Sequence, residues 1–245
     1  MNVCLFILAT PNIVSSTSPM AHYVPAASDI HSDAQALLAL ASTIDGVQRV
    51  VVHTPVDGGV NDPYLHDAAS PRYALQLYFD ELSALEASIK SIGPLQQLLD
   101  TERFPTLAGV GLTQQAMAVR YFPVPEANRV ANPGTRCTYL VSYEGEAEDY
   151  SAWIGHYVDS HPPIMARFPA IREIEIYTRL DYRSALPATR SLAMQRNKVV
   201  FDSPEALQIS MDSPVRHEMR ADFRQFPPFS GENFHYPMHS AYWEA

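Results

Sequence analysis

A segment of this chain recurs at a nearly constant distance, and that constrains the fold more than any single motif does. Phe79-Asp80 followed by Ala84-Leu85 returns 122 residues later as Phe201-Asp202 followed by Ala206-Leu207. The same offset carries Ser91 onto Ser213, Asp100 onto Asp222 and Phe104-Pro105 onto Phe226-Pro227. Upstream, the run from Val47 to Thr54 aligns with that from Ile171 to Thr178 at an offset of 124. Both alternate with the period of two expected of half-buried strands, and the small change of offset is a loop insertion. Val3 to Leu8 matches Thr138 to Tyr143 as a first strand, so each half reads strand, helix, strand, strand, helix, strand.

In the second half the expected pieces are a strand over 137–144, a helix near 147–160, a short helix near 163–168 and strands at 171–179 and 197–202. Helices at 204–212 and 215–225 and a strand at 233–238 follow. Ser203 as N-cap, Pro204 at the first helical position and Glu205 in the first turn mark the start at 204. The order βαββαβ predicts an α+β fold, a ferredoxin-like unit with an antiparallel sheet and helices on one face. The open faces of two such sheets can pack together. The expectation is therefore two fused ferredoxin-like units, 1–125 and 126–245, joined through the Pro-rich stretch from Pro123 to Arg136 and forming a dimeric-type α/β barrel within one chain. Further homodimerisation stays open.

With 245 residues, 47% hydrophobic and 18% charged, the chain can bury a large core. Its net charge of −10 and the absence of a Lys/Arg cluster argue against nucleic acid or an anionic membrane as partner and leave a small-molecule substrate. Cys4 and Cys137 sit in apolar runs without metal-ligand spacing, which fits reduced thiols in a cytoplasmic protein. The apolar run from Val3 to Ala9 has no preceding Lys or Arg and is only seven residues long, which argues against a signal peptide, and it falls far short of a membrane span.

One stretch has no counterpart in the first half: His161-Pro162-Pro163 leading through Phe168-Pro169-Ala170-Ile171-Arg172 into a strand. With Val199-Val200-Phe201-Asp202, the Ser-Pro-Glu-Ala-Leu start at 203–207, and Ser213-Pro214 leading to Ala221-Asp222-Phe223, it resembles an EthD-type domain of the dimeric α/β-barrel superfamily. The resemblance covers most of 137–240 and in the first half is kept mainly in 72–105. It implies kinship with methylisomerase-like enzymes of muconolactone chemistry, with polyketide decarboxylases and dehydratases, and with other cofactor-free enzymes of aromatic metabolism. It also implies a functional role for His161. Two departures stand out: Ile174 where relatives often carry tyrosine, for which Tyr177 is a candidate substitute, and Ala170 where the turn usually has glycine.

Taken by themselves, Pro162 and Pro163 place His161 at a helix start and fix its backbone, and an imidazole with an ordinary pKa near 6.5 suits acid/base work at neutral pH. The plain alternative is a histidine that only bonds a backbone carbonyl. Trp153, His156 and Tyr157 share a helix face by i, i+3, i+4 spacing, as core aromatics or as substrate contacts. Asp222 either tethers a loop, as its mate Asp100 would, or orients the His161 ring. His235 and Tyr236 lie on opposite faces of the last strand. On the strand at 171–179, Ile174 and Ile176 should meet the helices while Glu173, Glu175 and Tyr177 look into the barrel, where Arg49 and His53 hold the matching positions. Candidate catalytic residues are thus His161, His235, Asp222 and Tyr177. Candidate substrate contacts are Trp153, His156, Tyr157, Tyr139, Tyr143, Tyr236 and His53, an apolar pocket with polar edges for an aromatic or lactone ring.

No phosphate loop, nucleophile elbow, zinc motif or CxxC is present, so no cofactor or metal is expected, although haem needs only one histidine and leaves no motif. The expected activity is a cofactor-independent lyase or isomerase, that is a decarboxylase, dehydratase or muconolactone-type isomerase. A cofactor-free monooxygenase of phenols and a small-molecule binding protein are the rivals.

Overall fold

A computed structural model describes residues 2–12, 24–65, 70–128 and 136–245. The elements in chain order are β1 (Val3–Pro11), α1 (Ala27–Ser42), β2 (Val47–Pro55), β3 (Tyr73–Phe79), α2 (Leu82–Ser88) and β4 (Val110–Phe122), with short 3₁₀ segments at Pro94–Leu99 and Pro105–Leu107. Then come β5 (Arg136–Tyr143), α3 (Tyr150–Met165), β6 (Glu173–Arg179), β7 (Thr189–Arg190), β8 (Gln195–Phe201), α4 (Pro204–Met211), α5 (Pro214–Phe223) and β9 (Asn233–Glu244).

Eight strands close into one antiparallel barrel in the order β1-β3-β2-β9-β5-β8-β6-β4 and back to β1, with β7 added in parallel on β4. Within the first half the order is β4-β1-β3-β2 and within the second β9-β5-β8-β6, which is the same order. Closure leaves no free edge around the ring, and two long strands achieve it. β4 pairs with β1 along Val110 to Ala118, then continues onto β6 through Phe122. β9 pairs with β5 as far as Ser240 and with β2 from Met238 to Glu244. The last strand, expected over 233–238, runs on to Glu244, and its extension forms the seam with β2.

Strand alternation sorts side chains into three cores. Val3, Leu5 and Ile7 point out beneath α1 and α2, while Cys4, Phe6 and Leu8 point into the barrel. In the second half Cys137, Tyr139, Val141 and Tyr143 of β5, with Ile174 and Ile176 of β6, point out beneath α3, α4 and α5. Both cysteines are free and buried, Cys4 in the barrel core and Cys137 beneath the helices. No helix among the described residues is long and apolar enough to cross a membrane.

The barrel interior is polar on the second-half side. Lys198 and Glu175 are fully buried there. Lys198 Nζ lies 2.7 Å from Glu173 and 3.3 Å from Glu175, and Arg49 pairs with both carboxylates. Tyr78 donates to Glu175 at 2.7 Å, and Tyr177 donates to the same oxygen. Burial raises the Glu175 pKa, but Lys198 and Arg49 outweigh it and hold the carboxyl well below its ordinary range.

Candidate active site

Asp149, not a proline, starts α3: its carboxylate accepts the backbone N–H of Ala152 at 3.0 Å. The helix then runs unbroken through Pro162 and Pro163 to Met165. The expected helix start at His161, and the separate short helix after it, are therefore corrected. A proline's φ near −65° fits a helix, and near the C-terminal end the loss is confined to the amide donors for the carbonyls of Val158 and Asp159. The consequence for His161 is a place in the last turn of α3, packed against α5.

His161 is 5% exposed and its Nδ1 stands 2.6 Å from Oδ2 of Asp222 on α5. The other oxygen of Asp222 lies 3.3 Å from Nε2 of His156. Two histidines of one helix thus converge on one carboxylate of the next. Burial raises the Asp222 pKa, but the bond from His161 wins and holds it below its ordinary value. An ionised carboxylate only accepts, so Nδ1 of His161 carries the proton and donates it. Burial lowers the His161 pKa, opposed by Asp222, which leaves a neutral imidazole with its lone pair on Nε2. Among the described residues only Nδ1 has a hydrogen-bond partner. Asp100, the repeat mate of Asp222, instead accepts the backbone N–H groups of Glu102 and Arg103, as a turn cap does.

His161 lines a cavity of about 50 Å³ between the outer face of β5, β8 and β9 and the helices α3, α4 and α5. Tyr139, Val141, Tyr143, Asn197, Val199, Asn233 and His235 form its floor. Met165, Phe168, Met211, Met219 and Phe223 supply apolar walls, and Arg216 and Arg220 reach in from α5. Burial, with Arg216 adding to it, pushes the His235 pKa down to about 3, so this imidazole is neutral too.

Residues 61–65, after β2, bond the helices beside the cavity. Asp62, 4% exposed, takes a two-pronged bond from Arg216 at 2.9 Å on each oxygen and a third from Tyr139 at 3.1 Å. Asn61 exchanges bonds with Gln208 of α4, Tyr64 bonds His217 of α5, and Leu65 lines the cavity itself. A first-half loop therefore completes a second-half site.

Of the residues singled out from sequence, His161, His235, Tyr139 and Tyr143 line this cavity. Asp222, His156, Trp153 and Tyr157 stand behind it: Trp153 stacks on Tyr157, and Tyr157 lies 5.0 Å from the His161 ring. Tyr177, Tyr236 and His53 lie away from this cavity, on the opposite face of the sheet. Tyr177 and Tyr236 pack in the barrel core, and His53 is held by Ser240 at 2.7 Å and Gln76 at 2.8 Å. Tyr177 therefore cannot stand in for a pocket tyrosine at 174: three positions along a strand reverse the face. Arg216, Arg220, Asn197, Asn233 and Asp62 were not foreseen. The α5 residues had a signal, since Arg216, Met219, Arg220 and Phe223 follow i, i+3, i+4, i+7 spacing. Asp62 had none, its partners lying in the other half.

Among the described residues no group of three or more His, Cys, Asp or Glu is arranged to hold a metal ion. What the site offers is a base oriented by a carboxylate, in a largely apolar cavity with two cationic side chains.

No family model matches the sequence, and no curated protein matches it. Solved structures do. An anthrone oxidase-like protein superposes over 100% of this chain and 93% of its own, with TM-score 0.55 and 11% identity. A proposed monooxygenase from Fusobacterium nucleatum covers 98% and 92%, with TM-score 0.50 and 7% identity. A proposed chlorite dismutase covers 100% and 96%, with TM-score 0.50 and 10% identity. The chain shares with these proteins its fold, a closed eight-stranded antiparallel barrel with helices packed on its outer face.

Proposed function

We propose that this protein is a cofactor-independent acid/base enzyme of the EthD type, a lyase or isomerase acting on an aromatic-derived or polyketide-like small molecule. The carrying observation is the 2.6 Å bond from His161 Nδ1 to Asp222 on a buried imidazole that lines a cavity. Nε2 of His161 takes a proton from an acidic C–H or phenolic O–H, and the ring and its carbonyl delocalise the electron pair. The imidazolium, stabilised by Asp222, returns that proton to another carbon in an isomerisation or to a departing hydroxyl in a dehydration. The identical strand order of the two halves supports reading 1–125 and 126–245 as two related copies, of which the second kept the chemistry and the first became wall and lid.

A second reading shares the first step. The carbanion formed by His161 can be oxidised by O₂, and the likeness to an anthrone oxidase-like protein favours testing this monooxygenase chemistry. Exchange of the acidic C–H of anthrone and of muconolactone with D₂O, followed by NMR, tests the shared step. The protein should accelerate exchange, and His161→Gln should lower the rate by ~10²-fold or more. O₂ uptake with anthrone then separates oxygenase from lyase or isomerase. Exchange unaffected by His161→Gln would remove both readings.

A further inference from the structure

Two arginines of α5 enter the cavity, and among the described residues only one has a carboxylate partner. Arg216 is matched by both oxygens of Asp62. Arg220, one turn later, forms no ion pair among the described residues, and its buried Nε has no hydrogen-bond partner. Its guanidinium is held by aromatic faces, with Cζ 5.6 Å from the Tyr64 ring centroid and 5.2 Å from that of Phe223. Asp222, two residues on, is occupied by His161 and His156. A guanidinium placed against rings at a cavity wall, with donors unused, is a preformed fork for a planar anion.

We propose that Arg220 is the anchor for a carboxylate on the ligand, and that the cavity selects aromatic or lactone acids over their neutral analogues. The proposal deepens the reading of His161 as base and rests on the same cavity. A two-pronged bond to Arg220 fixes one edge of the ligand, the methionine and phenylalanine walls take the ring, and the reacting atom is presented to His161. Asn197 supports a polar contact on the floor: its Nδ2 donates to Tyr157 at 2.7 Å, whereas its buried Oδ1 accepts nothing from the protein.

Binding of 2-hydroxybenzoate and of 2-hydroxybenzamide by calorimetry tests this without requiring turnover. Wild-type protein is expected to favour the acid by ~10-fold or more. Arg220→Gln should abolish that preference, and Arg220→Lys should restore part of it. Thermal melts of the variants confirm folding. Equal affinity of wild type for acid and amide, failure of the acid to bind at millimolar concentration, or a preference that survives in Arg220→Gln would overturn the anchor. The acid/base reading is judged separately: an acid preference with no His161-dependent exchange removes the base and keeps the anchor, and the converse removes the anchor alone.

Discussion

His53 and His161 are both buried histidines, yet they stand on opposite faces of the sheet and do opposite things. Both ring nitrogens of His53 are taken, by Ser240 and Gln76, in a barrel interior whose charges also answer one another. Burial pushes its pKa down to about 3, so it is a neutral, doubly bonded strut. His161 has one nitrogen fixed by Asp222 and the other left for a cavity. Burial and a depressed pKa are common to both. What separates a structural from a chemical histidine here is an unspent nitrogen next to space.

The largest expected break in this comparison lies on the barrel side. Lys198→Ala leaves Glu173 and Glu175 short of a buried cation and should destabilise the fold by ~3–5 kcal/mol, the scale for an uncompensated buried charge. Denaturant unfolding measures this, and exchange activity per folded molecule should persist. On the helix side, Asp222→Asn should lower the exchange rate by ~10-fold or more, because an amide can hold His161 in the wrong tautomer. The pH dependence follows from the direction of the shift. The base form of His161 is active, so activity rises through a pKa below 6.5. Asp222 raises that pKa, so its loss should move the acidic limb to still lower pH, which a pH–rate profile reads directly.

The smallest expected effect concerns Ala170, the residue at the turn where relatives have glycine. Its φ is +56°, in the left-handed region that costs a side chain roughly 1–2 kcal/mol. Ala170→Gly should therefore stabilise the protein by ~1 kcal/mol in thermal or denaturant unfolding, with no change in turnover. The turn lies at the entry to β6, and Ala170 does not line the cavity.

Much of the scaffold was legible because it rests on local rules. Ile174 and Ile176 against Glu173, Glu175 and Tyr177 is a period-two pattern, and the structure puts the first pair under the helices and the others in the barrel. Ser203 caps α4, accepting from Ala206 N–H. Individual residues near the cavity were legible on α3, α5, β5 and β9, but not which of them share one space. Which sheet face meets His161 depends on tertiary packing, so the barrel-facing Tyr177, Tyr236 and His53 could not be separated from the cavity residues by sequence. Pro162 and Pro163 mislead for a related reason: they read as a helix start, but α3 runs through them because few amide donors are lost near its C-terminal end.

The contrast between the two histidines is tested most directly by replacing each with glutamine and measuring C–H exchange of anthrone in D₂O beside the melting temperature. His161→Gln is expected to lose ~10²-fold or more in exchange at a nearly unchanged melting temperature. His53→Gln is expected to lower the melting temperature and keep the exchange rate of the folded protein. Exchange that survives in His161→Gln, or that vanishes in a folded His53→Gln protein, would contradict the assignment of the chemistry to the helix-side cavity.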